Sequence, residues 1–469
     1  MINMKRTYIL ALSLLIAISA FAVTINDAKA LYNNGEYENA LKAFKELYAK
    51  NAKSAKDANI NNYIGLCLYN LGEYEQAIPY FTTAQAKSIP EASKHLALIA
   101  FYNYEFEEAA EHLESYQLAL TKAKKSIPDE VESFMTRTIN ASNMLNRVER
   151  IQVIDSINVD ANDFFKFYKM SQECGSLNPT SILPKGFYAS ANTVVYQPES
   201  KSQMIWAVEN EDSVETLVFA SILTDNSWEK PVVLDENLCE GNSNYPYVMP
   251  DGVTIYFAND GENSIGGYDI FLSRKDDDGF LQPQNIGMPY NSPFNDYMLV
   301  IDETTGLGWW ASDRNQIEGQ VTIYTFIPNE VRKNYSSDTP NLANLARINS
   351  ISDSWAEDAD YSEILNRQNN LNNTVSTKNS SDFSLSLPNG DIYTSLDDFV
   401  HEEAVQVMEE YLAEVDKLKF LLQQVANLRQ EYSDGNNVGA EIIKLEQQII
   451  TQRALLIRLR NNVVSLECK

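Results

Sequence analysis

Histidine, cysteine and basic residues are scarce in this sequence, and each shortage bears on function. Only three His and four Cys occur among 469 residues. No Ser/His/Asp set, His-Glu-x-x-His motif, phosphate-binding loop or dinucleotide fingerprint is present, and these patterns build nucleophile, metal and nucleotide sites. We therefore expect no catalytic residue, no metal and no cofactor. Carboxylates are too numerous for an acid/base pair to be chosen by spacing, so a glycan-cleaving enzyme stays open as an alternative.

The shortage of positive charge bears on possible partners. The chain has 37 Lys and Arg against 65 Asp and Glu, a formal net charge of −28. Such a surface repels phosphate backbones and anionic lipids. We therefore expect no nucleic-acid partner, and solubility alone accounts for the acidity of an exported protein.

Long apolar runs are missing except at the N-terminus. Lys5 and Arg6 precede an uncharged apolar stretch at 8–21, and the tripeptide Ala20-Phe21-Ala22 lies at its end. A basic start, an apolar run and a small-x-small site are typical of a secretory signal peptide. The run is shorter than the ~20 residues of a comfortable membrane span, although an uncleaved anchor is an alternative. No lipoprotein anchor is expected, because the first cysteine is Cys67.

Two further patterns have competing explanations. The four cysteines lack metal-ligand spacing, and Cys174 with Cys239 is the pair to consider for a disulfide. The run Asp276-Asp277-Asp278-Gly279 suggests calcium, but it lacks the alternating ligands of a calcium loop. A turn between two strands accounts for it better.

Residues 23 to about 148 show a helical repeat. Gly35-Glu36-Tyr37-Glu38-Asn39-Ala40 recurs as Gly72-Glu73-Tyr74-Glu75-Gln76-Ala77, and a weaker copy ends at Ala109. The alanines lie 37 and 32 residues apart, close to the 34-residue period of tetratricopeptide repeats. Gly65 and Ala97 are small enough to let neighbouring helices approach, and aromatic residues would fill the gaps. This part of the chain resembles the tetratricopeptide family.

That resemblance implies a concave groove for peptides, lined by the first helix of each repeat. Three aromatics in register, two of them followed by Asn, would hold an extended peptide by stacking and amide hydrogen bonds. The alternative is that each aromatic packs against the next helix. The residues concerned are Tyr32, Asn33, Tyr69, Asn70, Phe101 and Tyr102.

The segment from Asn244 to Pro283 has the pattern of consecutive β-strands. Two runs rich in Ile, Tyr and Phe are separated by Asp-Gly and Gly-Gly, which predicts antiparallel strands with tight turns. The segment recurs with a period of 51–53 residues, which predicts β-propeller blades. The recurring landmarks are Trp206-Ala207, Phe257-Ala258 and Trp310-Ala311, and then Phe219, Phe271 and Tyr324.

Pro250-Asp251-Gly252, Ile255 to Asp260 and Gly267-Tyr268-Asp269-Ile270 resemble the PD40 repeat. PD40 is a WD40-like repeat of TolB-like periplasmic propellers and of many Bacteroidetes envelope proteins. The resemblance implies a fold rather than a function. Three blades are too few to close a ring, so we expect 151–184, with a strand at 164–170, and a hairpin at 383–395 to add strands.

A second binding surface is a hypothesis for the mouth of this domain. Exposed aromatics there would favour glycan binding over a protein scaffold. The candidate residues are Tyr245, Tyr247, Trp310 and Arg314.

The C-terminal part predicts a pair of helices. Apolar residues recur every three or four positions on both sides of the break at 433–437, which indicates an antiparallel helical hairpin. Its surplus apolar surface would dock on the β domain or allow self-association.

The sequence thus predicts a multidomain α+β chain with helical repeats, a central β-propeller-like domain and a C-terminal helical hairpin. We expect a non-catalytic scaffold of the periplasm or outer-membrane periphery of a Gram-negative bacterium, with envelope proteins or peptide segments as partners. The alternative is a glycan-binding or glycan-cleaving propeller. The expected segments are a signal peptide at 1–22, helical repeats at 23–150, the β domain at 151–330, a polar excursion with a late hairpin at 331–395, and the helical hairpin at 396–469.

Overall fold

A computed structural model describes residues 23–223, 227–355, 361, 385–387, 392–393, 395–433 and 438–467. The predicted signal peptide and the most polar part of the excursion, 366–381, lie outside these residues. The chain divides into two compact units, Met1–Leu365 and Asn366–Lys469. In the described part of the chain, no helix combines the length and hydrophobicity that crossing a membrane requires.

The first unit begins with helices stacked in pairs, as the repeat predicts. Gly35 and Gly72 follow the first helix of their pairs with φ near +79° and +78°, a conformation that glycine adopts without strain. Tyr104 takes the same place in the third copy at φ +62°. The helices are α1 (Ile25–Asn33), α2 (Tyr37–Ala49), α3 (Ala58–Asn70), α4 (Tyr74–Gln85), α5 (Pro90–Tyr102), α6 (Phe106–Lys122) and α7 (Asp129–Leu145).

Small residues and aromatic rings hold these helices together. The repeated alanines Ala40, Ala77 and Ala109 are fully buried. A Cβ atom at Gly65 would lie only 2.7 Å from the ring of Phe81, so α3 and α4 approach as closely as glycine allows. The prediction of a helical repeat domain is confirmed.

The chain then forms three open antiparallel sheets. Strand order is β2-β3-β4-β5-β6 in the first sheet, β7-β8-β9 followed by β10 and β11 in the second, and β12-β13-β14-β1 in the third. The strands are β1 (Gln152–Asp160), β2 (Ser176–Asn178), β3 (Val195–Gln197), β4 (Gln203–Glu209), β5 (Glu215–Ser221), β6 (Val232–Val233), β7 (Ser243–Val248), β8 (Thr254–Asn259), β9 (Asp269–Asp276), β10 (Gly279–Phe280), β11 (Gln284–Asn285), β12 (Asp296–Asp302), β13 (Leu307–Ser312) and β14 (Gln320–Ile327).

Residues 151–184 complete existing sheets rather than building another one. Strand β1 pairs with β14 and so ties the start of the strand-rich region to its end. Strand β2 pairs with β3 in the first sheet. The predicted strand at 164–170 is wrong, because Phe164–Phe167 is a 3-10 turn.

The segment that follows β1 fills the centre of the strand-rich region, which explains the turn. The Phe164 ring lies 5.8 Å from that of Tyr245 and 5.2 Å from that of Tyr297. The Tyr168 hydroxyl donates to the carbonyl of Met298 at 2.8 Å, and the Ser171 N–H donates to Asp302 at 2.7 Å. We call residues 164–174 the central segment. It packs aromatic rings where an extended strand would expose every second one.

The sequence period has a matching hydrogen-bond motif in two of the sheets. The N–H and side-chain amide of Asn242 both donate to the carboxylate of Asp260, and Asn295 donates in the same way to Asp313. Phe257 pairs with Phe271 across the second sheet. In the first sheet the two landmarks are not direct partners, because Trp206 pairs with Val218 and Phe219 pairs with Ile205.

The end of the first unit returns to the helices. Helix α8 (Leu342–Arg347) places the Arg347 guanidinium 5.2 Å from the ring centre of Tyr104. Trp355 donates its indole N–H to the carbonyl of Val153 at 2.8 Å.

The second unit contains a short hairpin and two long helices. Strands β15 (Leu385–Ser386) and β16 (Ile392–Tyr393) pair with each other. We expected this hairpin to add strands to the β domain, but in the described residues neither strand pairs with the three sheets. Leu385 of β15 and Leu387 just after it cluster with Met408 and Val463, which lie on helices α9 (Glu402–Ser433) and α10 (Gly439–Glu467). Glu467 at the end of α10 accepts the N–H groups of Val400 and His401, which lie just before α9.

Candidate functional site

The predicted groove residues occupy the last turn of α1, α3 and α5. Tyr32 and Tyr69 are half-buried, whereas Asn33 and Asn70 are exposed. Tyr102 is 39% exposed. We call these five residues the repeat face.

Neighbouring repeats touch along the repeat face. The Tyr32 ring lies 5.5 Å from that of Tyr63 on α3, and the Tyr69 ring lies edge-on to His95 of α5 at 4.7 Å. Burial raises the pKa of Tyr32, and the Asn70 side chain beside its hydroxyl partly offsets this shift. Burial also raises the pKa of Tyr69 to about 12. The tyrosines therefore pack against the next helix and still leave one edge exposed.

Phe101 does not belong to the groove, contrary to the prediction. It is 2% exposed, and its ring lies 5.4 Å from Phe106 and 5.1 Å from Phe134 of α7. Helix α7 has no further repeat behind it, so the last aromatic of the series is covered by helix packing. Tyr102 takes the exposed position instead.

Tyr102 extends the repeat face onto the strand-rich region. Its ring stacks on Phe294 at 5.2 Å with an angle of 29° between the planes. Phe294 precedes β12 in a loop, where no periodicity marks it as part of a surface. Sequence analysis therefore missed it.

The proposed mouth residues are mostly core. Exposure is 0% for Tyr247 and Trp310 and 8% for Arg314. The Tyr247 hydroxyl donates to the carbonyl of Ile301 at 2.7 Å, and the Trp310 ring stacks on Tyr324 at 4.8 Å. These three residues therefore form no exposed surface. The rings of Tyr247 and Trp310 fill the space within and between the sheets.

Arg314 is the centre of a buried polar network. It donates to the Asp296 carboxylate at 2.7 Å, and to the carbonyls of Pro289 at 2.9 Å and Tyr290 at 2.5 Å. Its Nε–H donates to the Ser312 hydroxyl at 2.8 Å. Burial alone would lower the pKa of Arg314, but Asp296 and neighbouring groups raise it above its usual value.

Tyr245, the fourth mouth residue, lines a cleft of about 580 Å³. Tyr268 and Tyr297 line the same cleft, with Asn295 and Asp313. The Tyr245 and Tyr297 rings are stacked at 4.4 Å, and Tyr268 stands edge-on to Tyr245 at 5.9 Å. We call this site the tyrosine cleft. Sequence analysis did not bring these tyrosines together, because they come from three separate segments.

The backbone and the carboxylates shape the tyrosine cleft. Tyr245 has φ +53°, at the register shift between β7 and β8. The Tyr268 hydroxyl donates to the carboxylate of Glu215. Burial raises the pKa of Asp313, and the two hydrogen bonds from Asn295 oppose that shift.

The remaining candidate features of the sequence are the possible Cys174–Cys239 disulfide and the possible calcium site at 276–279. Cys174 and Cys239 are not bonded to each other, and their thiols donate to the carbonyls of Ile301 and Asp235. Residues 276–279 form the turn between β9 and β10, as the turn explanation predicts. Within the described ranges, no group of three or more His, Cys, Asp or Glu side chains is arranged to hold a metal ion.

Comparison with known families agrees with the helical part of this structure. Residues 26–92 and 68–122 match the model of the tetratricopeptide repeat family. No curated protein matches the chain. Tetratricopeptide stacks present extended concave surfaces to other proteins. The N-terminal region of this protein is therefore built of tetratricopeptide repeats, which suggest a scaffold for protein–protein interaction.

Proposed function

We propose that this protein is a non-catalytic scaffold of a Gram-negative cell envelope, which holds an extended segment of a partner protein against the repeat face. The observation that carries the proposal is the tetratricopeptide match over 26–122, together with the five repeat-face residues at the same helical turn. The exposed amide of Asn33 offers a donor and an acceptor to a peptide backbone. Asn70 offers its amide oxygen, because its amide nitrogen donates to the carbonyl of Leu66 at 2.7 Å.

Charge beside the repeat face favours a basic partner segment. Exposed glutamates begin the second helix of each pair, at Glu36, Glu73 and Glu105. Burial raises the pKa of Glu105, and the negative charges of Glu108 and Glu75 raise it further, whereas Arg347 lowers it. A lysine- or arginine-bearing segment would relieve that repulsion, and its approach would be steered by the net charge of −28.

The strand-rich region is the second platform of the proposed scaffold. We regard its three sheets as blades of a β-propeller-like assembly. The repeated Asn-Asp motif of two sheets and the pairing of β1 with β14 support this assignment. Its likeness to PD40 proteins also supports an envelope role.

Location in the periplasm or at the outer-membrane periphery is part of the proposal. It rests on the order of basic, apolar and small residues in 1–22. N-terminal sequencing of the protein from the envelope fraction should begin at Val23. A cytoplasmic protein with an intact N-terminus would contradict export.

The C-terminal helices would join the other modules or hold them apart. Phe420, which is 64% exposed, would contribute to self-association.

The repeat face is tested by a crosslinking pull-down from intact cells. In the variant Asn33→Ala/Asn70→Ala/Tyr102→Ala we expect recovery of the partner protein to fall at least ~10-fold, a loss of about 1.4 kcal/mol in binding. The three changes avoid the buried Phe101, whose loss would affect folding.

The matched control is Leu118→Ala/Ile139→Ala. These side chains are 62% and 50% exposed on α6 and α7, and neither belongs to the repeat face. Recovery should stay at the wild-type level. Equal losses in both variants, or the same partners recovered with all three proteins, would refute the repeat face as the binding surface.

A further inference from the structure

We propose that the tyrosine cleft binds a neutral sugar unit. The proposal goes beyond the scaffold function, because no residue of the repeat face contributes to the cleft. The cleft volume, about 580 Å³, lies within the range of roughly 300–1,000 Å³ that is usual for small-ligand sites.

Two tyrosine hydroxyls of the cleft lack protein partners. Tyr245 and Tyr297 are each only 7% exposed, and among the described residues neither phenolic oxygen has a hydrogen-bond partner. Three other tyrosines of the same core, Tyr168, Tyr196 and Tyr247, donate to backbone carbonyls. The Tyr268 hydroxyl, also in the cleft, donates to Glu215. The fold thus pairs these four hydroxyls and leaves those of Tyr245 and Tyr297 available for a ligand.

The backbone supports the same assignment. Tyr245 adopts φ +53°, which is uncommon for an aromatic residue. The conformation falls where the register between β7 and β8 shifts, so a bulge aims the side chain toward the cleft. Strained residues and bulges are concentrated beside binding sites.

Charge determines which ligands fit. Asp313 and Glu318 line the cleft, and its lining contains no lysine, arginine or histidine. An anionic ligand would therefore meet repulsion without compensation. A cationic amine fits the carboxylates but only donates hydrogen bonds, so it cannot accept the protons of the two phenols.

A ligand hydroxyl meets both requirements, because it accepts from one phenol and donates to another or to a carboxylate. The cleft also has apolar wall atoms from Ala161, Ile317 and Val321, which suit the C–H face of a sugar ring. Neutral carbohydrate is therefore the ligand class that satisfies the hydroxyls, the charge and the apolar wall together.

Titration calorimetry on the full chain tests the proposal. The probes are chitotetraose, cellotetraose, maltotetraose and mannotetraose at millimolar concentration, with trilysine and polygalacturonate as charged comparisons. We expect at least one neutral tetrasaccharide to bind. The double variant Tyr245→Phe/Tyr297→Phe keeps the ring stack and removes both hydroxyls, so its affinity should fall at least ~10-fold.

Two controls separate a binding role from a structural one. Tyr188→Phe removes a hydroxyl from a side chain that is 83% exposed, and its affinity should equal that of the wild type. The Tm of the double variant without ligand should stay the same or rise, because the lost hydroxyls have no protein partner. Absence of binding by every neutral probe, unchanged affinity in the double variant, or binding of trilysine alone would overturn the proposal. None of these outcomes bears on the partner recovery that tests the repeat face.

Discussion

The variant Arg314→Met lowers the free energy of unfolding of the strand-rich region by about 3–5 kcal/mol, the usual result of removing one partner of a buried ion pair. Arg314 and Asp296 have side-chain exposures of only 3% and 0%. The change leaves the carbonyls of Pro289 and Tyr290 without this donor, and the Asp296 carboxylate keeps only the N–H and hydroxyl of Ser292. Urea unfolding followed by tryptophan fluorescence measures the loss, because all five tryptophans lie between residues 206 and 355.

Arg332→Met is the matched control for this loss. The Arg332 side chain is 45% exposed and lies 3.8 Å from Glu149, so its ion pair is worth about 1 kcal/mol or less. Replacing both members of the buried pair, in Arg314→Met/Asp296→Asn, should recover part of the stability. Equal losses in Arg314→Met and Arg332→Met would show that the buried network does not stabilise the region.

Phe164→Ala has the second large effect, a loss of about 3–5 kcal/mol. The ring is 2% exposed and lies in the central segment, against Tyr245 and Tyr297. Its removal leaves a cavity among rings from two sheets, and the surrounding strands cannot close it without losing their register. Urea unfolding measures this loss as well.

Phe167→Ala tests whether burial causes the loss. Phe167 belongs to the same 3-10 turn but is 41% exposed, so its replacement should cost less than about 1 kcal/mol. A similar loss at both positions would mean that the turn, and not the buried ring, holds the sheets together.

The helical repeat domain could be predicted mainly from the periodicity of the sequence. Helix pairing follows from local signals, a small residue at Gly65 and an aromatic at Phe81, whose contact lies within one repeat. Residues close in sequence meet by a short turn, so their spacing predicts their contacts. The strand period is equally local, and it marked Phe257 and Phe271 as landmarks of the repeat, which the structure shows to be cross-strand partners.

Long-range pairing was not predictable from the sequence. Strand β1 joins β14 across more than 150 residues, and the 3-10 turn at 164–167 packs its rings between strands of other sheets. The pattern of Phe164 to Met170 suits a strand as well as a buried turn, because only tertiary packing decides which way the rings point.

The candidate sites failed for a related reason. Tyr247, Trp310 and Arg314 are residue types common in binding surfaces. Whether they are exposed depends on segments that are distant in sequence and cover them in the fold. Arg314 is buried because Asp296 and three other acceptors surround it. Phe101 is buried because α7 covers it.

The most direct measurement is site-specific photocrosslinking in intact cells, with the photoreactive amino acid at Asn70 or at Leu118. Both side chains are exposed, but only Asn70 belongs to the repeat face. We expect a crosslinked partner protein from position 70, in the envelope fraction, and none from position 118. The same products from both positions, or none from position 70, would contradict the claim that the repeat face holds a partner protein.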